Sequence, residues 1–145
     1  VVLDKIRKFL LEMGGNFCYI GSQYRLEIGG KEYFIDLMLY HRKLKCLVAV
    51  ELKIGEFIPE SAGKMQFYLA AIDDKKRLEG ENPSIGIIIC KSKNRTIVEY
   101  ALKNSVRPIG VSTYRLTNHL PKEFAKYLPT NQELTEIINH LIDKH

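Results

Sequence analysis

Three charged residues interrupt two apolar runs. Asp36 stands within Phe34-Ile35-Asp36-Leu37-Met38, and Glu51 and Lys53 stand within Leu47-Val48-Ala49-Val50-Glu51-Leu52-Lys53-Ile54. Lone charges in a buried strand are costly unless they are paired or bound to a metal. A salt bridge from Lys53 to Asp36 or Glu51 would satisfy one carboxylate and leave the other over. A divalent cation accounts for the surplus negative charge. Mg²⁺ prefers oxygen ligands, retains waters, and often takes only one or two protein carboxylates. Such an ion polarises a phosphate ester and acidifies a water, while a neighbouring ammonium group stabilises developing charge. Asp36 and Glu51 would then hold the metal, the Leu52 carbonyl could add a third oxygen, and Lys53 would orient the attacking water.

This chemistry requires the three side chains to share one face of a sheet. Glu32 to His41 and Leu44 to Ile54 read as strands, joined by a short polar turn at Arg42-Lys43. A two-residue turn pairs His41 with Leu44 and therefore Asp36 with Ala49. Opposed residues share a face, and so do alternate residues along a strand. Asp36 thus shares a face with Ala49, Glu51 and Lys53. Its carboxylate becomes a diagonal neighbour of Glu51, with Cα atoms on the order of 7–8 Å apart. A turn of odd length would reverse the parity and separate them.

The remaining elements follow from periodicity and turn residues. Val2 to Met13 has helical spacing and ends at Gly14-Gly15. Phe17 to Ile28 alternates as a strand, and Gly29-Gly30 signals a two-residue hairpin. Pro59 opens a helix reaching about Arg77, with Ala62, Met65, Leu69 and Ile72 on one stripe. Asn82-Pro83 makes a turn, Ile85 to Cys90 a central strand, Thr96 to Lys103 a helix, and Arg107 to Thr113 a fifth strand. The tail from Pro121 carries helical patterns at Glu123 to Tyr127 and Gln132 to Ile142. The order α-β-β-β-α-β-α-β predicts an α/β fold, a mixed sheet flanked by helices.

Asp36, fourteen intervening residues, and then Glu51-Leu52-Lys53 resemble the motif of the PD-(D/E)XK nuclease superfamily. The motif falls on the second and third strands of the α-β-β-β-α-β order that is that superfamily's restriction-endonuclease-like core. Five segments resemble more closely the C-terminal nuclease domain of YhcG-like proteins. They are Gln23-Tyr24-Arg25-Leu26-Glu27, Phe34-Ile35-Asp36-Leu37, Val50-Glu51-Leu52-Lys53-Ile54-Gly55, Met65-Gln66-Phe67-Tyr68-Leu69 and Pro83-Ser84-Ile85-Gly86. The resemblance spans roughly Leu3 to Leu128. It departs from the motif at Ile35, where proline is usual. It implies a DNA endonuclease using Mg²⁺ or Mn²⁺. The alternatives are a nucleic-acid-binding module that cuts poorly, or an interaction domain of a restriction or defence assembly.

The resemblance also implies secondary candidates. Gln66 on the second helix would contact a phosphate oxygen or a water of the metal, and Glu12 on the first helix would be a further site acid. Tyr68 could border the substrate groove, although a packed tyrosine suits the apolar stripe better. Gln23 and Arg25 share a strand face and could meet the DNA backbone. Lys91 and Lys93, with Arg95, follow the fourth strand and could meet phosphates, which give affinity without sequence choice.

Composition sets the outer limits. The chain has 145 residues, 46% of them hydrophobic, with a formal net charge of +5, which suits one domain mildly biased toward polyanions. It begins at Val1, and is read as the C-terminal part of a longer protein whose N-terminal domain supplies further DNA affinity. Cutting two strands needs two centres, so a homodimer is an expectation. No apolar run is long enough to span a membrane. The three cysteines (Cys18, Cys46 and Cys90) lack ligand spacing and read as reduced thiols of a cytoplasmic protein. The four histidines show no zinc spacing, and no phosphate-binding glycine loop or G-x-S-x-G nucleophile motif is present.

Overall fold

The computed structural model describes residues 16–112. The first predicted helix with Glu12, and the tail from Pro121, lie outside these residues.

The sheet begins with a hairpin. Strand β1 (Phe17–Ile28) pairs antiparallel with β2 (Lys31–His41), closing at Ile28↔Lys31. Gly29 and Gly30 both have positive φ, 58° and 77°. That pair of values suits a two-residue turn matched to strand twist. A bulge between Tyr19 and Gly21 shifts the register once.

Strand β3 (Cys46–Glu56) lies antiparallel to β2, with His41↔Cys46, Met38↔Ala49 and Leu37↔Val50 in register. The connecting turn is therefore longer than expected, covering 42–45. Leu44 is not the first strand residue; it is buried in the turn. The physical reason is His41, which is fully buried and accepts the Leu44 N–H on Nδ1 at 3.1 Å, while its carbonyl accepts the Lys45 N–H at 2.8 Å. Lys45 closes the turn with φ of 52°. The extra two residues move the register by two, so facing parity is kept. Asp36 continues toward Glu51 instead of Ala49.

Beyond β3 the chain crosses through helix α1 (Pro59–Lys75) to β4 (Ile85–Ser92), and through α2 (Arg95–Leu102) to β5 (Ile109–Ser112). β4 is parallel to β3, and β5 is parallel to β4. The sheet order is β1-β2-β3-β4-β5, antiparallel on one side and parallel on the other. Long crossovers are what parallel neighbours need. The predicted stripe Ala62, Met65, Leu69 and Ile72 is buried, together with Tyr68. α1 lies directly on β4: a Cβ at Gly86 would stand 2.6 Å from Met65 Cγ and 2.7 Å from its Sδ. The Asn94 side chain caps α2 by accepting the Ile97 N–H at 3.1 Å.

Candidate active site

Backbone pairing of β2 with β3 runs as far as Leu37↔Val50. Past that pair, carboxylates bridge the strands. Glu51 Oε2 accepts the Asp36 N–H at 3.3 Å, and Asp36 Oδ2 accepts the Leu52 N–H at 2.8 Å. Each acid is thereby fixed against the strand that carries the other. On the opposite side, Gln23 Nε2 of β1 donates to Asp36 Oδ1 at 3.3 Å.

Asp36, Glu51, Leu52 and Lys53 line one cavity of about 190 Å³, with Phe34 from β2, Ile88 from β4, and Ser61, Lys64 and Met65 from α1. The shared face inferred from alternation is thus present. β3 becomes irregular just past the site. Its register with β4 shifts between Lys53 and Glu56, and Gly55 adopts φ of 130°, a conformation that favours glycine. A larger cavity, about 300 Å³, lies beside α2 and β5 and contains none of the predicted residues.

The electrostatics single out Glu51. Its side chain is 13% exposed, and Oε1 is buried with no hydrogen-bond partner among the described residues. Burial pushes its carboxyl up to about 8, and the adjacent Asp36 carboxylate adds to the shift through hydrogen bonding and charge. Lys64 opposes it, with Nζ 3.8 Å from Oε1. A buried carboxylate oxygen lacking a hydrogen bond beside a second carboxylate suits a cation. Among the described residues, no group of three or more His, Cys, Asp or Glu side chains could hold a metal. The donor set here is two carboxylates, a number Mg²⁺ commonly takes from protein.

Lys53 lines the cavity, but the lysine paired with Glu51 is Lys64. Sequence reasoning missed Lys64. Its signal was present: Ser61, Lys64, Met65 and Tyr68 fall on one helical face at i, i+3, i+4 and i+7. Gln66 is half-buried on α1 and is not among the lining residues. Tyr68 is 2% exposed and packs edge-on to Tyr33, the packed alternative. Arg25 is exposed and pairs with Glu32 at 3.1 Å and Glu27 at 3.6 Å. Lys91 alternates to the face opposite the lining residue Ile88. Lys93 is half-buried, donates to the Val111 carbonyl at 3.3 Å, and is lowered by burial to about 8.

Comparison with known proteins now has a geometry to refer to. The YhcG PDDEXK nuclease domain family matches residues 1–129 of this chain. The chain belongs to that family. The "Putative nuclease YhcG" of Escherichia coli (strain K12) is 33% identical over 135 residues, which cover 93% of this chain and 36% of that protein. The chain thus spans about a third of the length of this relative. An EndoMS–dsDNA2 complex superposes with a TM-score of 0.53 at 12% identity, over 79% of this chain and 45% of that one. A repair endonuclease from Pyrococcus abyssi gives 0.49 at 14% identity, over 80% and 46%. The five-stranded mixed sheet of this YhcG-type domain is restriction-endonuclease-like. In this domain Asp36, Glu51 and Lys53 line one cavity.

Proposed function

We propose that this domain hydrolyses phosphodiester bonds within DNA, using Mg²⁺ or Mn²⁺. The observation that carries the reading is the convergence of two carboxylates and an ammonium group on one cavity, with Glu51 Oε1 buried and lacking a hydrogen-bond partner among the described residues. Asp36 and Glu51 would hold the cation, with the Leu52 carbonyl as a further oxygen donor. When bound, that ion supplies Lewis-acid polarisation of the phosphate and a water acidic enough to attack near neutral pH.

The chain's own residues do the rest. Asp36 and Glu51 are held by backbone N–H groups across the strands, so little reorganisation is needed on loading. Lys53 orients the attacking water and stabilises charge developing on the phosphate. Lys64, on the cavity wall beside Glu51, would meet a phosphate of the substrate. Substrate choice would rest partly with regions beyond this domain, since the chain covers only 36% of its YhcG relative. Pairing of two copies would supply a centre for each strand of a duplex.

The test is cleavage of linear, branched and single-stranded DNA with Mn²⁺, comparing wild type with Glu51→Ala. Cleavage in wild type and its loss in the variant are expected. No cleavage of any substrate, with DNA binding equal in both proteins, would leave a binding or interaction module as the better description.

A further inference from the structure

Gln23 was expected beside Arg25 as a contact to the DNA backbone. Its position is different in kind. It falls directly opposite Asp36, between the register pairs Ser22↔Leu37 and Tyr24↔Ile35. Its side-chain nitrogen is 3.3 Å from Asp36 Oδ1. An ionised carboxylate can only accept, so the amide must present its NH₂ group there. Arg25, two residues on, is engaged by Glu27 and Glu32 instead.

The backbone at Gln23 adds an independent observation. Its φ is 47°, in the left-handed region. Lys45, the other non-glycine residue with positive φ among the described residues, closes a turn. Gln23 lies inside the twelve-residue strand β1, where no turn calls for that conformation. Left-handed backbone at a residue other than glycine is strained, persists only when its surroundings hold it, and clusters at functional sites.

We propose that Gln23 is a positioning residue for Asp36. Its amide fixes Oδ1 while the Leu52 N–H fixes Oδ2 at 2.8 Å, so the carboxylate is anchored from β1 and β3 together. The strained backbone is retained because it delivers that amide. Partners that orient a metal-binding carboxylate typically change metal affinity about 10–100-fold when removed. This role rests on the proposed cation at Asp36 and Glu51, and it predicts no direct contact between Gln23 and substrate.

The experiment uses the 145-residue chain. Mn²⁺ affinity is measured by calorimetry without DNA, and DNA affinity is measured separately in EDTA. The variants are Gln23→Met, which keeps bulk without the donor, and Gln23→Gly, which also removes the backbone strain. Both should bind Mn²⁺ about 10–100-fold more weakly, with metal-free DNA affinity unchanged. Gln23→Gly should also melt at a higher temperature than wild type, so its weaker metal binding cannot be put down to a damaged fold. Mn²⁺ affinity within twofold of wild type in both variants overturns the proposal, as does loss of DNA affinity with metal binding intact. A wild type that takes up no Mn²⁺ overturns the metal reading as well, which separates the two failures.

Discussion

Glu51 accepts the Asp36 backbone N–H at 3.3 Å through Oε2, and its Oε1 is buried without a hydrogen-bond partner among the described residues. The carboxyl stands at about 8, against an ordinary value of 4.5, chiefly because burial disfavours the charge. In the metal-free fold it keeps a proton that the unfolded chain gives up. Stability should therefore fall as pH rises from about 4.5 to about 8. Glu51→Gln removes the titration. Thermal melts in EDTA from pH 5 to 9 should show the variant gaining on wild type by several degrees through that window, roughly what 1–2 kcal/mol gives for a small domain. Parallel curves would contradict this.

A cation bound at Asp36 and Glu51 must displace that proton. Mn²⁺ affinity should rise with pH and level off above about 8. Below that pH, close to one proton should be released per ion, read as a dependence of calorimetric heat on the buffer's ionisation enthalpy. Heat independent of buffer at pH 7 would place the cation elsewhere.

The two lysines should separate kinetically. Lys53→Ala removes a group proposed to act on developing charge, so kcat should fall about 10²–10³-fold while Mn²⁺ affinity holds. Lys64 is 60% exposed at the cavity wall. Lys64→Ala should mainly raise KM, by about fivefold, and lower the salt dependence of DNA binding by about one counterion. A larger kcat loss for Lys64→Ala than for Lys53→Ala would exchange their roles.

The seat of α1 on β4 can be tested at Gly86. Gly86→Ala places a methyl group 2.6 Å from Met65 Cγ and 3.2 Å from Leu69 Cδ1. Overpacking of this kind costs about 1–3 kcal/mol. Urea melts should show that cost in the wild-type background and a clearly smaller one when Met65→Ala is also present. Additive losses would mean that Gly86 and Met65 do not share that space.

Asp36, Glu51 and Lys53 could be grouped from sequence because side chains in strands alternate with a period of two, a rule that needs only the parity of one turn. The Gly29-Gly30 hairpin and the α1 stripe were legible for similarly local reasons, as backbone freedom and helical repeat lie within a few residues. The length of the β2–β3 turn was not legible. It depends on His41 being buried and bonding back to Leu44 and Lys45, and polar turn residues alone do not show that.

What the sequence determined by itself is the trio of charged residues and the face they share. Only the tertiary structure decided which groups surround them. Lys64, not Lys53, pairs with Glu51, carried there by α1, which packs closely on β4 at Gly86. Gln23 reaches Asp36 because the β1 register and a strained φ bring it there. Contacts between elements distant in the chain are set by packing and register, and no repeat along the sequence encodes them.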